Sequence, residues 1–218
     1  MVPVHCIALT GGPCGGKSSA LKAIQEEVKA RGVEVFLVPE VPAMIMRGGG
    51  HYPGPEGGDE LVAFETAIMQ LQLQMERSFA MIARSTGKPS LVICDRGLLD
   101  IAAYLPRDAW LKIAEANGLT EEQMLSRYDA VLHLVTSADG AEKFYKFGHV
   151  KDDSGNDVYR AETPEMARDL DKKVLECWKA HSRVGRIENL ADDGFPGKLG
   201  RATKFVCEVI ASDPVSTQ

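Results

Sequence analysis

The sequence predicts an α/β fold in which helices cover both faces of a parallel sheet. Short apolar runs alternate along the chain with longer amphipathic segments, the order expected of βαβ units. The short runs are almost continuously apolar, which is typical of strands buried on both faces. A glycine-rich segment joins the first run to the first amphipathic segment, as in a tight strand-to-helix turn. The predicted strands are Val4–Leu9, Val33–Val38, Leu91–Cys94, Ala130–Val135 and Val184–Ile187.

Apolar residues at spacings of three or four predict the helices. Thr163, Pro164 and Glu165 form a typical helix start, with a capping side chain, a proline in the first turn and an acidic residue near the positive helix end. The predicted helices are Lys17–Arg31, Asp59–Arg84, a segment that begins at Thr163, and a last one through Phe205–Ile210.

Composition sets the broad class of the protein. The 218 residues are 44% hydrophobic, which suits one globular domain over residues 1–218. A net charge of −6 disfavours non-specific attraction to nucleic acid, and no apolar run approaches the length needed for membrane insertion. The five cysteines include no Cys-x-x-Cys pair, so we expect a reducing, cytoplasmic environment. The sequence does not indicate an oligomeric state.

The glycine-rich segment Gly11–Ser18 matches the phosphate-binding pattern G-x-x-x-x-G-K-[ST] between a predicted strand and a predicted helix. Such a loop turns successive backbone N–H groups toward phosphate oxygens at a helix N-terminus. Lys17 is expected to reach the β- and γ-phosphates, and Ser18 to ligate Mg²⁺. The pattern therefore predicts ATP or GTP with Mg²⁺ as ligands, bound by Gly12, Pro13, Cys14, Gly15, Gly16, Lys17, Ser18 and Ser19.

Charged residues follow two other predicted strands. Glu40 comes after the second strand, and Asp95 and Arg96 end the third. Ligands of open parallel sheets bind beyond the carboxyl ends of the strands, so these side chains are expected near the γ-phosphate. One carboxylate could accept the proton of an attacking hydroxyl while the other serves Mg²⁺. We favour Glu40 as the base and Asp95 on the Mg²⁺ side, with the reverse assignment open. Arg96 could bind phosphate or steady the catalytic carboxylate.

Five motifs follow one another with a familiar spacing: Thr10–Ser19, Pro39-Glu40-Val41-Pro42, Asp95-Arg96-Gly97, Tyr159-Arg160-Ala161-Glu162 and Trp178-Lys179-Ala180-His181-Ser182-Arg183. Together they resemble one family, the AAA-type ATPase domain shared by the ribosylnicotinamide kinase NadR and the TRPL translocation defect protein. The resemblance covers roughly residues 4–210.

This resemblance implies a three-layer α/β/α sandwich with a five-stranded parallel sheet. It also implies a lid-like segment around residues 145–163, in which Arg160 would close on the transferred phosphate as an internal arginine finger does. Arg183 would lie beside the adenine or a phosphate, or else serve as a cation at a helix C-terminus. The segments Arg47–Gly58 and Phe147–Asp157 lack periodicity and are predicted as surface loops, where substrate lids also occur.

A more distant resemblance extends to deoxynucleoside kinases. It implies that Glu40 is the base, that Arg96 contacts the reacting phosphates, and that Phe64 and Gln70 lie near the ring of the substrate. The chain departs from that pattern after Phe64, where Glu65 replaces the expected glutamine.

The function expected from these residues is phosphoryl transfer. The leading hypothesis is an ATP-dependent kinase for a small hydroxyl-bearing molecule, such as a nucleoside or a nicotinamide riboside-like compound. The alternative is a nucleotide-binding regulatory ATPase module in trafficking or signalling, which part of the resembled family represents.

Overall fold

A computed structural model describes residues 2–151, 157–160 and 162–212, with the backbone alone at 151 and 157–160. Its strands are β1 Val4–Gly11, β2 Glu34–Val38, β3 Ser90–Asp95, β4 Ala130–Leu134, β5 Gly148–Lys151, β6 Asp157–Arg160 and β7 Val184–Ile187. Five of them form a parallel sheet in the order β2-β3-β1-β4-β7. The remaining two, β5 and β6, pair as an antiparallel hairpin.

Within the described ranges, seven α-helices surround the sheet: α1 Lys17–Ala30, α2 Val41–Arg47, α3 Gly58–Ser85, α4 Arg107–Ala116, α5 Glu121–Leu125, α6 Pro164–Cys177 and α7 Gly194–Ala211. Short 3₁₀ segments lie at Leu98–Tyr104 and Glu142–Phe144. Thr163 caps α6, accepting a hydrogen bond from the Met166 N–H at 3.3 Å, so the predicted helix start is confirmed. No helix in the described part of the chain has the length and apolar character required to cross a bilayer.

Successive side chains along the strands pack into two separate hydrophobic cores, one on each face of the sheet. On β1, Ile7 and Leu9 pack with buried residues of α1 and α7. Ala8, between them, packs on the opposite face with residues of α3, α4 and α6, including the buried Val174. A strand that is apolar on both sides needs helices on both sides. The predicted three-layer α/β/α sandwich is therefore confirmed.

Local structure differs from the sequence-based expectation in three places. The segment after Glu40 continues as α2, whose first turn holds Pro42, a position where a missing N–H costs nothing. The predicted loop Phe147–Asp157 contains β5 and the start of β6, two strands too short and polar to show an apolar alternation. The helices between 98 and 125 are also short, and the sequence did not reveal them.

Gly97 packs tightly between β1 and the residue that follows α6. A Cβ at this position would lie 2.6 Å from Cζ2 of Trp178 and 2.9 Å from Cβ of Ala8. Trp178 is fully buried just beyond the C-terminus of α6. The turn that follows Asp95 can approach the helix this closely only without a side chain at 97.

We predict that Gly97→Ala destabilises the protein, because the added methyl group overlaps the fully buried ring of Trp178. The expected loss is about 1–3 kcal/mol in the free energy of unfolding, measured by urea denaturation. Gly200→Ala is the matched control, since Gly200 lies inside α7 with open space around its Cβ position. That variant should gain about 0.5–1 kcal/mol. Equal stabilities of the two variants would contradict this packing.

Candidate active site

The phosphate loop lies where the sequence predicts it, between β1 and α1. Its backbone enters the left-handed region at Gly16, with φ of 90°, and at Cys14, with φ of 55°. A Cβ at Gly11 or Gly15 would come within 3 Å of the Leu134 carbonyl oxygen at the end of β4. The glycines therefore let the loop turn directly against β4. This turn presents the N–H groups of the loop at the N-terminus of α1.

Asp171 of α6 holds the phosphate loop in place through hydrogen bonds. Its Oδ1 accepts hydrogen bonds from the N–H groups of Gly12 at 2.8 Å and Thr136 at 3.0 Å. Its Oδ2 lies 3.2 Å from Nε2 of His133. Burial favours the protonated form of Asp171, but the hydrogen bonds from His133 and the two amides outweigh it and lower its pKa. The sequence patterns did not identify Asp171 as part of the site. The sequence did hold one signal for it. Asp171 falls at helical spacing between Ala167 and Val174, so a carboxylate lies on the buried face of α6.

Lys17 and Ser18 face the region that phosphates would occupy. Ser18 is exposed and Lys17 is half-buried, and neither side chain makes a hydrogen bond to another described residue. Burial lowers the pKa of Lys17, and the positive charge of Arg96 lowers it further. The negative charges of Asp95 and Glu40 act in the opposite direction, which places both carboxylates within electrostatic range of the lysine.

Glu40, Asp95 and Arg96 meet at the carboxyl ends of β2 and β3, as predicted. Arg96 donates from Nε to Oε1 of Glu40 at 2.7 Å, and its Nη1 lies 3.5 Å from Oδ2 of Asp100. Asp95 Oδ1 is buried without a hydrogen-bond partner in the described part of the chain. Burial raises the pKa of Asp95, and the charge of Lys17 partly offsets the effect. The site thus contains an ion pair beside an unsatisfied carboxylate.

Asp100 anchors this charged cluster, and sequence reasoning did not identify it. It is 2% exposed and accepts hydrogen bonds from Oγ1 of Thr10 at 2.7 Å and from Nε1 of Trp178 at 2.6 Å. Thr10 directly precedes the phosphate loop. Asp100 therefore ties Arg96 to the loop on one side and to the α6 layer on the other. The signal in the sequence was an Arg-to-Asp spacing of four residues after a strand end.

A cavity of about 390 Å³ opens beside the Arg96–Glu40 pair. This volume suits a small metabolite. Phe64 lines it, as the distant kinase resemblance implies. Gln70 is exposed and lies outside this lining, so that expectation is wrong. Gln72, two positions later in α3, lines the cavity instead. The lining residues are Glu40, Pro42, Met46, Tyr52, Phe64, Glu65, Ile68, Gln72, Arg96, Gly97, Asp100, Ile101, Tyr104 and Glu162.

Glu65 is the least expected residue of this lining. Its side chain belongs to a residue only 3% exposed, and no described residue donates a hydrogen bond to it. Burial raises the pKa of Glu65 from 4.5 to about 7, and the charge of Arg96 only partly counters this effect. A carboxyl group that changes charge near neutral pH therefore faces the cavity.

The two predicted arginines outside this cluster have different outcomes. The backbone of Arg160 pairs with Gly148 in the hairpin, but its side chain lies outside the described residues, so its lid role stays a prediction. Arg183 immediately precedes β7 and donates to Oγ of Ser212 at 2.7 Å. Because the strands are parallel, this is the edge of the sheet away from the phosphate loop. The expected contact of Arg183 with adenine or phosphate is therefore wrong.

We predict that Glu65→Gln stabilises the protein above pH 7 but not near pH 4.5. The native state of the wild type holds the Glu65 proton up to about pH 7, whereas the unfolded chain releases it near 4.5. Stability from this group is therefore lost as the pH rises between those values, by up to roughly 3 kcal/mol. Thermal unfolding of both proteins across this range measures the difference. Glu60→Gln, exposed on the same helix, is the control. A gap between wild type and Glu65→Gln that does not change with pH would contradict the assignment.

Comparison with known proteins agrees with this geometry. A family model described as an AAA domain, AAA_28, matches residues 6–188, which span the phosphate loop, the strand-end charges and the hairpin. No curated protein matches the chain. The family match implies nucleotide binding at the phosphate loop. The narrower likeness to NadR and the TRPL translocation defect protein stays a prediction. On this match, the chain belongs to the AAA_28 family of AAA-domain proteins, which are P-loop NTPases.

Proposed function

We propose that this protein is an ATP-dependent kinase that transfers the γ-phosphoryl group to a hydroxyl of a small metabolite, either a nucleoside or a nicotinamide riboside-like molecule. The observation that carries the proposal is the position of the Arg96–Glu40 pair. Both residues line the 390 Å³ cavity, and both charges act on Lys17 of the phosphate loop. An acceptor in the cavity would therefore sit beside the phosphates. An NTPase that only hydrolyses its nucleotide needs a water molecule beside the phosphates and no cavity for an acceptor.

The residues around the loop suit Mg²⁺ with a triphosphate. Asp95 has a buried oxygen without a partner in the described part of the chain, and the Ser18 hydroxyl is exposed at the start of α1. These two residues would hold the ion, directly or through water. When bound, Mg²⁺ supplies positive charge to the β- and γ-phosphates. Lys17 and the backbone N–H groups of the loop supply the rest.

Glu40 is better placed than Asp95 to act as the base. Glu40 lines the cavity, whereas Asp95 is absent from its lining and is more strongly coupled to Lys17 than to Glu40. In the proposed reaction, Glu40 takes the proton from the acceptor hydroxyl. The hydroxyl oxygen forms a bond to the γ-phosphorus as the bond to the β–γ bridging oxygen breaks, and ADP leaves. Arg96 orients Glu40 and neutralises charge that develops on the transferred group.

We predict that Glu40→Gln lowers kcat by about 10²- to 10⁴-fold, because the amide cannot accept the hydroxyl proton. The affinity for ATP·Mg²⁺, measured by calorimetry, should change little, since Glu40 belongs to the cavity lining. Lys17→Ala should instead abolish nucleotide binding. Glu26→Gln, on the exposed face of α1, is the charge-matched control and should retain both properties.

The assay that tests the proposal is ADP release with a panel of nucleosides and nicotinamide riboside as acceptors. A several-fold rise with one acceptor supports a kinase. Slow turnover that ignores every acceptor supports the alternative, a regulatory ATPase module. Absence of ATP and GTP binding in the presence of Mg²⁺ would contradict both.

A further inference from the structure

One lysine of the last helix is buried, although lysine side chains normally keep their charged end in water. Lys198 of α7 is 2% exposed, and it is the only buried lysine in the described part of the chain. Its ammonium group donates to the Val135 carbonyl oxygen at 2.6 Å and to Oδ1 of Asn189 at 2.9 Å. Both acceptors are uncharged, and no described carboxylate forms an ion pair with Lys198.

The buried ammonium group lies directly behind the phosphate loop. Val135, which accepts its hydrogen bond, follows Leu134, whose carbonyl oxygen would be 2.7 Å from a Cβ at Gly15 of the loop. On the other side of Val135, Thr136 donates from Oγ1 to the Pro13 carbonyl oxygen at 2.5 Å. Both chain neighbours of Val135 therefore contact the loop, and only the end of β4 separates the ammonium group from it.

The charge of Lys198 is also within electrostatic range of the loop. Burial lowers the pKa of Lys198 to about 8, the negative charge of Asp171 opposes this effect, and the positive charge of Lys17 adds to it. Since Lys17 belongs to the phosphate-binding loop, a charge that acts on Lys17 acts also on phosphates bound beside it. Salt and solvent screen buried charges much less than exposed ones, so the effect of Lys198 persists at this depth.

Without a ligand, this arrangement is costly. An ammonium group buried without an ion pair destabilises the fold relative to an apolar side chain of similar length. Phosphates bound in front of the loop would supply negative charge within range of Lys198 and offset part of that cost. By reciprocity, the charge of Lys198 would favour the bound phosphates by the same amount.

From the burial of the ammonium group, its uncharged acceptors and its place behind the loop, we infer that Lys198 is a second cation for the nucleotide phosphates, which strengthens their binding through its charge without touching them. Lys17 serves the phosphates from within the loop, and Lys198 serves them from behind the end of β4. This role concerns nucleotide binding, which the family match implies. It does not depend on whether the bound nucleotide transfers a phosphoryl group to an acceptor.

Affinities of the full chain for ATP·Mg²⁺ and ADP·Mg²⁺, measured by calorimetry, test this role. Lys198→Met should weaken binding of ATP·Mg²⁺ about tenfold and that of ADP·Mg²⁺ by a smaller factor, because the triphosphate carries more negative charge. Lys204→Met removes the same charge from an exposed position of the same helix and should leave both affinities unchanged. If the methionine variant does not fold, Lys198→Gln replaces it, since glutamine keeps a donor and lacks the charge.

Proton uptake on binding separates the charge of Lys198 from its packing. At pH 8 the free protein holds this lysine about half protonated, and bound phosphates favour the charged form, so binding should take up protons. Binding heats in buffers of different ionisation enthalpy measure the uptake. Lys198→Met should lose part of it, whereas Asn189→Ala, which breaks a hydrogen bond of Lys198 and keeps the charge, should retain it. All variants keep the charged or titratable groups of the neighbouring segments, which are Lys17, His133, Asp139, Asp171, Glu188, Asp193 and Arg201.

The outcomes separate the role of Lys198 from the kinase proposal. Unchanged affinities and proton uptake in Lys198→Met, or an equal loss of affinity in Lys204→Met, overturn this role. Weaker binding with unchanged proton uptake overturns it as well, because the lysine then acts through packing alone. A wild type that binds nucleotide with the help of Lys198 but phosphorylates no acceptor supports the role of Lys198 and contradicts the kinase proposal. A wild type that binds no nucleotide contradicts both.

Discussion

The geometry of the site depends on the Arg96 guanidinium and the two carboxylates that hold it. Its charge acts on Lys17 in the phosphate loop and on Glu65 in the cavity, so it couples the two halves of the site electrostatically. Glu40 and Asp100 keep it in place from the start of α2 and from the 3₁₀ segment after β3. A largely buried cation that loses its partners costs several kcal/mol. Both of these contacts therefore help to fix the geometry of the site.

A second buried network supports the backbone of Arg96. This residue has φ of 73°, a conformation that costs a non-glycine residue about 1–3 kcal/mol. Gln72 donates from one amide nitrogen to the Arg96 carbonyl at 3.2 Å and to Glu76 at 2.9 Å. Glu76 in turn accepts hydrogen bonds from Arg127 and Tyr128. The strained turn is thus held by a chain of satisfied polar groups within the α3 layer, which is how strain persists at a functional site.

The sequence predicts well what a contiguous pattern encodes. Gly11–Ser18 and Glu40 were found because a motif or a strand end identifies them locally. The role of Asp171 could not be predicted, because it lies 159 positions after Gly12, the loop residue whose N–H it accepts. The periodicity of α6 shows that one face is buried but not what that face contacts. Glu65 is a departure from a family pattern in the sequence, and only the fold places it on the lining of the cavity. Arg183 was predicted at the wrong edge of the sheet, because the motif that contains it does not show at which end of β7 the arginine lies.

In the proposed reaction, the γ-phosphoryl group moves to an organic hydroxyl beside Glu40 and not to water. The most direct test is ³¹P NMR of the products formed from ATP in ¹⁸O-enriched water, with nicotinamide riboside and a mixture of nucleosides as acceptors. Transfer to an acceptor hydroxyl should give a new phosphomonoester signal that carries no solvent oxygen and grows as ADP accumulates. Inorganic phosphate bearing one solvent oxygen, with no phosphomonoester, would contradict it.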